Sequence, residues 1–505
     1  MLVLLVGFQQ LCISQLSNKW ILGYESWGGS PFGNVNMDFS NHHFDSAYFF
    51  YRDMNFEFAN ASICDSNGTL LFYTNGVYIA NAQDDTMLNG SGLNPSWYTT
   101  QWNYYGLKIP QADLIITKPG SDSLYYLFHE TNDIDIFYRP NFLYYSIINI
   151  KSDSGEGEVI VKNNILISDT LVSGCLTATK HANGRDWWLV APEYGNDGGY
   201  YVLLITPDTI IVNHQNFYLN HLGIGQACFS PDGSKYIWNQ TWDHTYFYDF
   251  DRCTGLLSNP QYYLYIDSFY WIGSSTSPNS RYGYVSHGPY IFQFDLQASN
   301  MAASLDTVAV NDGFYDPNPP WPTSFVLHQL GPAGKIYIST GNATFSLHVI
   351  DQPDSADTLC NVLQHSLSLG RFNVTIPNFP NYDLGPLAGS PCDTLGLNLT
   401  PALSKGEGAI RLAPNPANNS FYIKYDIPTN ENLLFVLYDS YGKEVMRKNL
   451  YGSFKNLLVH TEQLDNGIYF WRVVSDNNSK SQPSIGKPLQ GFGVYCASGK
   501  IVILH

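Results

Sequence analysis

The sequence predicts an all-β protein, a seven-bladed β-propeller followed by a small C-terminal β-sandwich. Three observations carry that prediction. A strand–turn–strand motif returns roughly every 50 residues through most of the chain, the period of a four-stranded propeller blade. Helix signals are almost absent, while 42 Gly and 27 Pro punctuate the chain and aromatic residues reach 15%, a bias that suits pleated strands. The last stretch, from Ile410, alternates apolar and polar residues in short runs separated by turns.

The motif is clearest at "QACFSPDGSKYIWN" from Gln226. Its echoes are "ASICDSNGTLLFYTNG" from Ala61, "ADLIITKPGSDSLYYLF" from Ala112, "CLTATKHANGRDWWLV" from Cys175, "SSTSPNSRYGYVS" from Ser274 and "VLHQLGPAGKIYIST" from Val326. Small residues come first because the innermost strand of a blade borders a crowded channel. The corner then needs a preset φ, a side chain that bonds its own backbone, and a residue tolerant of positive φ. Pro231, Asp232 and Gly233 supply these in order, and the last position recurs as Gly68, Gly120, Gly184, Gly233, Ser280 and Gly334. An aromatic second strand follows, then an alternating third ("YFYDFD", "YIFQFDL", "LHVIDQ"). A single repeat has too little partner surface, so the repeats must pack on one another.

The ends set the blade count. "KWILGY" and "NVNMDFS" near the start read as a second and third strand without a first, and "NFPNYDLGPL" (Asn378 to Leu387) is the candidate for that missing inner strand. Closure by both termini then removes exposed edges. Six or eight blades are left open by the spacing alone.

Composition narrows the partners. Asp and Glu number 43 against 25 Lys and Arg, a formal charge of −18 that repels a phosphate backbone, so nucleic acid is not expected. "MLVLLVGFQQLCIS" is too short to span a bilayer but has the apolar core and small residues of a signal peptide, cleaved between Ser14 and Gln15, although no basic residue precedes it. Gln9 and Leu11 disfavour a lipoprotein anchor at Cys12. Of the eight cysteines none forms a C-x-x-C pair. In an exported chain some pairs can be bridged, Cys360 with Cys392 being one candidate, but spacing does not fix connectivity, and buried unpaired thiols are the equal alternative.

No fingerprint of a metallopeptidase, nucleophile elbow, P-loop or dinucleotide site is found, and no cofactor is implied. "DSNGT" at Asp65 is like a sialidase Asp-box, but its other positions do not line up and a hairpin corner is preferred. His42 and His43 beside Asp45 lack facing metal geometry, and "DIDIF" (Asp133 to Phe137) reads as a strand edge. "YGNDGGYY" (Tyr194 to Tyr201) is preferred as a plain turn over a Ca²⁺ loop, and of Trp187 and Trp188 at least one belongs to the core. Tyr and Trp with Asn and Asp at a propeller mouth suit sugar rings, and "NPSWYTTQWNYYG" (Asn94 to Gly106) is placed as a lid over that face; Tyr simply filling strands is the competing reading.

"SPDGSKY", "YDFDRCTG" and "QLGPAGKIYI" resemble the WD40-like, TolB-like propeller repeats of exported Bacteroidetes proteins, over Asn18 to Thr394. The resemblance implies a scaffold that hosts many activities. After the polar stretch "LGLNLTPALSKGEGA" (395–409), a linker by composition, the pieces "PNPANNSFYI", "LYDSYGKEV", "LDNGIYFWRV" and "GKIVILH" resemble the type A C-terminal sorting domain of the type IX (Por) secretion system. Its motif residues here are Pro414, Asn415, Pro416, Gly442, Gly467, Tyr469, Gly499, Lys500, Ile501 and Val502. The segment Ser479 to Ser498, which contains Cys496, is longer than the usual final connection. What the resemblance implies is export by the general route, recognition by the outer-membrane translocon, and processing by a sortase-like peptidase. The expected organisation is therefore a signal peptide (1–14), propeller (15–394), linker (395–409) and sorting domain (410–505). The function expected is a secreted or surface scaffold that binds glycan or protein, with a hydrolase of polysaccharide or peptide as the alternative.

Overall fold

The computed structural model describes residues 15–393 and 411–503, apart from 41–43, 45, 134–138, 242–243, 268, 270–271, 318–319, 414–416, 426–431, 440–442, 452–453, 455 and 476–496. The chain divides into two compact units, Met1–Gly396 and Leu397–His505. Among the described residues the only α-helix is the six-residue Trp97–Trp102, capped by Ser96, whose side chain accepts the Thr99 N–H.

In the first unit the strands form seven antiparallel sheets and a two-stranded ribbon, Tyr315–Pro317 with Pro320–Pro322. The first sheet joins Lys19–Tyr24, Gly33–Asp38 and Ser46–Phe50, and the second joins Ala61–Cys64, Leu70–Thr74 and Ile79–Asn81. The next four have four strands each in simple sequence order and start at Asp113–Thr117, Thr177–Lys180, Gly225–Phe229 and Ile272–Thr276. The seventh joins His328–Leu330, Ile336–Ile338, Thr344–Ile350 and Val362–Asn373. These opening strands lie beside one another: Ala61–Cys64 touches Asp113–Thr117, and Gly225–Phe229 touches both Thr177–Lys180 and Ile272–Thr276. Lys118 on the third sheet donates to the Pro207 carbonyl on the fourth. The seventh sheet meets the first through Tyr337, whose ring lies 5.3 Å from both Trp20 and Phe39.

The turn chemistry is the predicted one. Gly68, Gly120, Gly184, Gly233, Ser280 and Gly334 all have φ between 61° and 79°, the left-handed region. Asp232 accepts the Ser234 N–H at 3.0 Å, and Asp65 accepts those of Asn67 and Thr69 at 2.8 and 2.9 Å, so "DSNGT" is a hairpin corner. The corners at Gly233, Ser280 and Gly334 each hand the chain to the next strand through a cation. Lys235 pairs with Asp249 (2.5 Å), Arg281 with Asp295 (3.1 Å) and Lys335 with Asp351 (2.5 Å), each joining the second strand of a sheet to its third. Lys19 and Asp38 form the same pair in the first sheet. That equivalence identifies Lys19–Tyr24 as a second-type strand.

The missing inner strand is filled in an unexpected way. Residues 374–379 do run between the seventh and second sheets: Thr375 Oγ1 donates to the Phe58 carbonyl (2.9 Å), Asn378 N–H to the Asn60 carbonyl (2.9 Å), and Phe379 N–H to Gln329 Oε1 (3.2 Å). They do not form a strand with Lys19–Tyr24, however, and residues 378–387 contain none. Pro377 and Pro380 lack the N–H groups a ladder needs. The segment is a strap held by side chains and isolated backbone hydrogen bonds rather than by a ladder. It continues across the ends of the opening strands, where Tyr382 donates to the Ile115 carbonyl (2.7 Å), Asn381 to the Pro231 carbonyl (2.7 Å), and Leu387 N–H to the Ala182 carbonyl (2.9 Å). A disulfide between Cys253 and Cys392 ends it, with Cα atoms 5.5 Å apart.

That bridge corrects the candidate pairing. Cys360 is a free thiol buried in a short turn beside Tyr284 and Ile350, whereas Cys253 sits on a fifth-sheet hairpin where the strap arrives. Cys64, Cys175 and Cys228 are also free. Trp187 and Trp188 are both buried, on opposite faces and in different clusters. "YGNDGGYY" is corrected as well: Gly195–Ile205 is a strand rather than a turn.

In the second unit, Arg411–Ala413, Ser420–Lys424 and Asn456–His460 form one sheet, and Glu444–Tyr451, Asn432–Tyr438, Gly467–Ser475 and Ala497–Ile503 form another. Phe421 and Val459 of the first share one core with Phe435, Leu437, Trp471, Ile501 and Ile503 of the second.

Candidate functional site

A cavity of about 400 Å³ opens among the ends of the opening strands, rimmed by Pro231, Pro278, Pro332 and Gly334 of the turns and walled on one side by the strap from Asn378 to Asp383. Three amides build its frame. Gln226 Oε1 accepts the N–H groups of Ser274 (2.9 Å) and His328 (2.8 Å), while its Nε2 donates to the His328 carbonyl (2.7 Å). Gln111, held at φ 47°, makes the matching two-point contact with Ala227, at 2.9 Å to the N–H and 3.0 Å to the carbonyl. Asn378 accepts from Gln111 (3.1 Å) and donates to the carbonyls of Asp113 (3.1 Å) and Leu176 (3.0 Å). Five sheets are thereby laced by neutral side chains, a buried network with its partners supplied.

Hydroxyls of Thr177, Ser275 and Thr276 and rings of Phe229, Phe379 and Tyr382 also line it, between apolar residues such as Ala178, Cys228 and Leu330. Asp383 is the one carboxylate among the described lining residues, and no lysine or arginine lines the space. His328 is fully buried, and that burial lowers its pKa to about 3, so the ring is neutral. Its Nε2 pairs with Ser286 Oγ while Nδ1 has no hydrogen-bond partner.

Two other acids are buried nearby, Asp113 and Glu130. Asp113 stands opposite His129 in the ladder, so Glu130, one residue on, projects to the other face of the sheet. They do not form a facing pair. Burial raises the Asp113 carboxyl to about 8, and burial followed by the Asp113 charge raises Glu130 as well. His129 is neutral by burial and bonded to Asn94 and Ser146. Among the described residues no group of three potential metal ligands occurs and no helix is long and apolar enough to cross a membrane.

None of residues 94–106 lines the cavity, so the expected lid is not over it. The helix precedes the opening strand Asp113–Thr117, whereas the cavity lies where the opening strands end. The segment packs instead on the loops of the first sheet, its Tyr104 ring 6.0 Å from Trp27. Ser14, His42, His43, Asp45, Pro414, Asn415, Pro416 and Gly442 lie outside the described residues, as does most of Asp133 to Phe137. Gln15 is described and its carbonyl accepts the Asn18 N–H. In the second unit, Gly467 stands opposite Ile503, Ile468 opposite Val502, Tyr469 opposite Ile501, Phe470 opposite Lys500 and Trp471 opposite Gly499, which brings two sequence motifs into one ladder. The amide lacing was missed by sequence reasoning because nothing in the repeat around Gln226, or beside Gln111 and Asn378, signals that these side chains bond one another's sheets. Their pairing is visible only across 116 and 267 residues of separation.

Residues 411–486 match the secretion system C-terminal sorting domain. No curated protein matches the chain. Similar solved structures include a proposed 6-phosphogluconolactonase from Bacteroides uniformis (10% identity, TM-score 0.37, covering 71% of this chain and 99% of that one). A second, from Bacteroides fragilis, has 10% identity and TM-score 0.37 over 71% and 97%. Hsv2 of Kluyveromyces lactis has 10% identity and TM-score 0.35 over 67% and 90%. The sorting domain marks the chain for export by the type IX secretion system to the cell surface.

Proposed function

We propose that this chain is a surface-displayed binding protein. A signal peptide (1–14) precedes a seven-bladed propeller (15–394) whose first blade takes its inner element from the strap. A linker (395–409) and a sandwich-type sorting domain (410–505) follow, and the translocon and a sortase act on the latter. The ligand fitting the cavity is an uncharged glycan unit. One observation carries this reading: amides, hydroxyls and aromatic rings share the lining with apolar residues and prolines, with a single carboxylate and no cation, and such neutral polar and aromatic groups are the means by which proteins hold neutral polyols. A polysaccharide or peptide hydrolase needs converging acids or an activated nucleophile, and the two unpaired buried acids face away from each other.

A glycan array on the purified chain tests the ligand. Binding of a neutral glycan, lost on Ser275→Val, supports the reading; a signal from acidic glycans alone, or none at all, sinks it and favours a protein ligand. For export, deletion of 410–505 is expected to leave the protein in the periplasm, and undiminished surface display would refute the sorting role.

A further inference from the structure

We infer that a corner on the loops of the first two sheets, formed by Trp27, Tyr51 and Tyr104 with the carboxylates of Glu25 and Asp53, holds a lysine or arginine side chain of a partner protein. The site is independent of the cavity. Its rings are strongly exposed, Trp27 at 61%, Tyr51 at 64% and Tyr104 at 46%, an unusual grouping for surface that touches only water. Trp27 and Tyr104 meet with centroids 6.0 Å apart and planes at 60°, so neither ring covers the other.

The corner is built rather than incidental. Asn55, itself buried, accepts the Glu25 N–H at 2.6 Å and donates to the Tyr104 carbonyl at 2.8 Å, clamping the two loops together. Ser26 Oγ accepts the Arg52 N–H at 3.3 Å, which draws Tyr51 and Asp53 to the same place, and Tyr51 donates to Asp53 at 2.6 Å. Glu25 sits in the left-handed region at φ 53° without being glycine, so the loop carries its carboxylate at a conformational cost.

The protein's own cations show what such a corner accepts. Lys108 Nζ lies 4.0 Å from the Trp102 ring centroid and 3.1 Å from Glu57. Arg52 lies 4.9 Å from the Tyr73 ring centroid and 2.8 Å from Asp84. Ring face plus carboxylate is filled by a cation in both. The Trp27 corner has the same two ingredients, and among the described residues neither Glu25 nor Asp53 forms an ion pair. Burial, then the charge of Glu57, raises the Glu25 pKa, and a cation brought to the corner would offset both. An ammonium or guanidinium over these rings gains both attractions at once, whereas a polyanion is repelled.

Titrating the full chain with pentalysine at physiological salt tests this. Trp27→Ala and Tyr104→Ala are each expected to weaken binding about five- to thirtyfold, and Glu25→Gln to weaken it and flatten its salt dependence. The large exposure of both rings lets these variants fold, which their melting temperatures would verify. Equal pentalysine affinity for wild type and both ring variants would mean attraction to the net negative charge alone, and would overturn the inference. So would ring-dependent binding of neutral cellohexaose without ring-dependent binding of pentalysine, which would make the corner a sugar platform.

Discussion

At the scale of single residues, the corner glycines differ in what surrounds them. An added Cβ at Gly233 would lie 2.7 Å from Arg252 Cδ and from Thr179 Oγ1, and at Gly184 only 2.5 Å from the Pro386 nitrogen. At Gly120 and Gly334 the nearest atoms are 3.6 and 3.8 Å away. Gly120→Ala and Gly334→Ala therefore carry the left-handed penalty alone, about 1 kcal/mol. Gly184→Ala and Gly233→Ala should cost about 3 kcal/mol or more, because backbone or packed side chains must move as well. Urea denaturation of the four variants would rank them. Asp113 offers a pH-dependent counterpart. Its pKa is about 8 in the fold through burial, against roughly 4 in an unfolded chain. The folded state thus keeps a proton that the unfolded chain releases, and this contribution to stability declines from about pH 4 to pH 8 before levelling off. Asp113→Asn abolishes that decline, so its melting temperature should gain on wild type steadily between pH 5 and 8; parallel curves would contradict it. His129 and His328, neutral by burial with pKa about 3, act in the opposite direction and withdraw stability as pH falls below about 6.5.

Among the elements, the opening strands and their corners were legible because their signal is local. Small residues, then Pro, Asp and Gly, then an aromatic strand can be read without knowing any partner, and all six corner positions adopt the conformation the motif demands. The cation-to-aspartate pairs of four sheets, three from lysine and one from arginine, were present in the sequence and went unread, since each joins positions 14 to 19 residues apart. The strap was half legible. Its composition placed it at the centre, yet its two prolines should have argued against a ladder. What it does instead depends on Asn378, buried and bonded to the third and fourth sheets and to Gln111. Asn378→Ala would remove its hydrogen bonds to two buried carbonyls and the one from Gln111, which keeps Ala227, a loss of about 2–4 kcal/mol. Unchanged thermal stability of that variant would mean that the strap is ornamental. The cavity was invisible beforehand for the same reason: its wall is the strap, and its frame is three amides whose partners no motif signals.

For the whole molecule, composition and the terminal motif pointed to the cell surface, and the sorting match agrees. The cysteines could not be paired in advance because proximity, not spacing, decides which thiols meet; Cys253 and Cys392 are 139 residues apart. Cys253→Ser with Cys392→Ser should cost about 2–4 kcal/mol in oxidising buffer and nothing in excess dithiothreitol. If both proteins melt together under oxidising conditions, the bridge has no part in stability.

The same bond determines where a pull on the tail is felt. Everything beyond Cys392 hangs from a covalent junction with Cys253, which belongs to the fifth sheet rather than to the end of the chain. Tension applied to the sorting unit by secretion machinery would thus be shared with the fifth sheet through that bond. The residues crossing the opening strands would then carry less of the load, which protects the cavity wall.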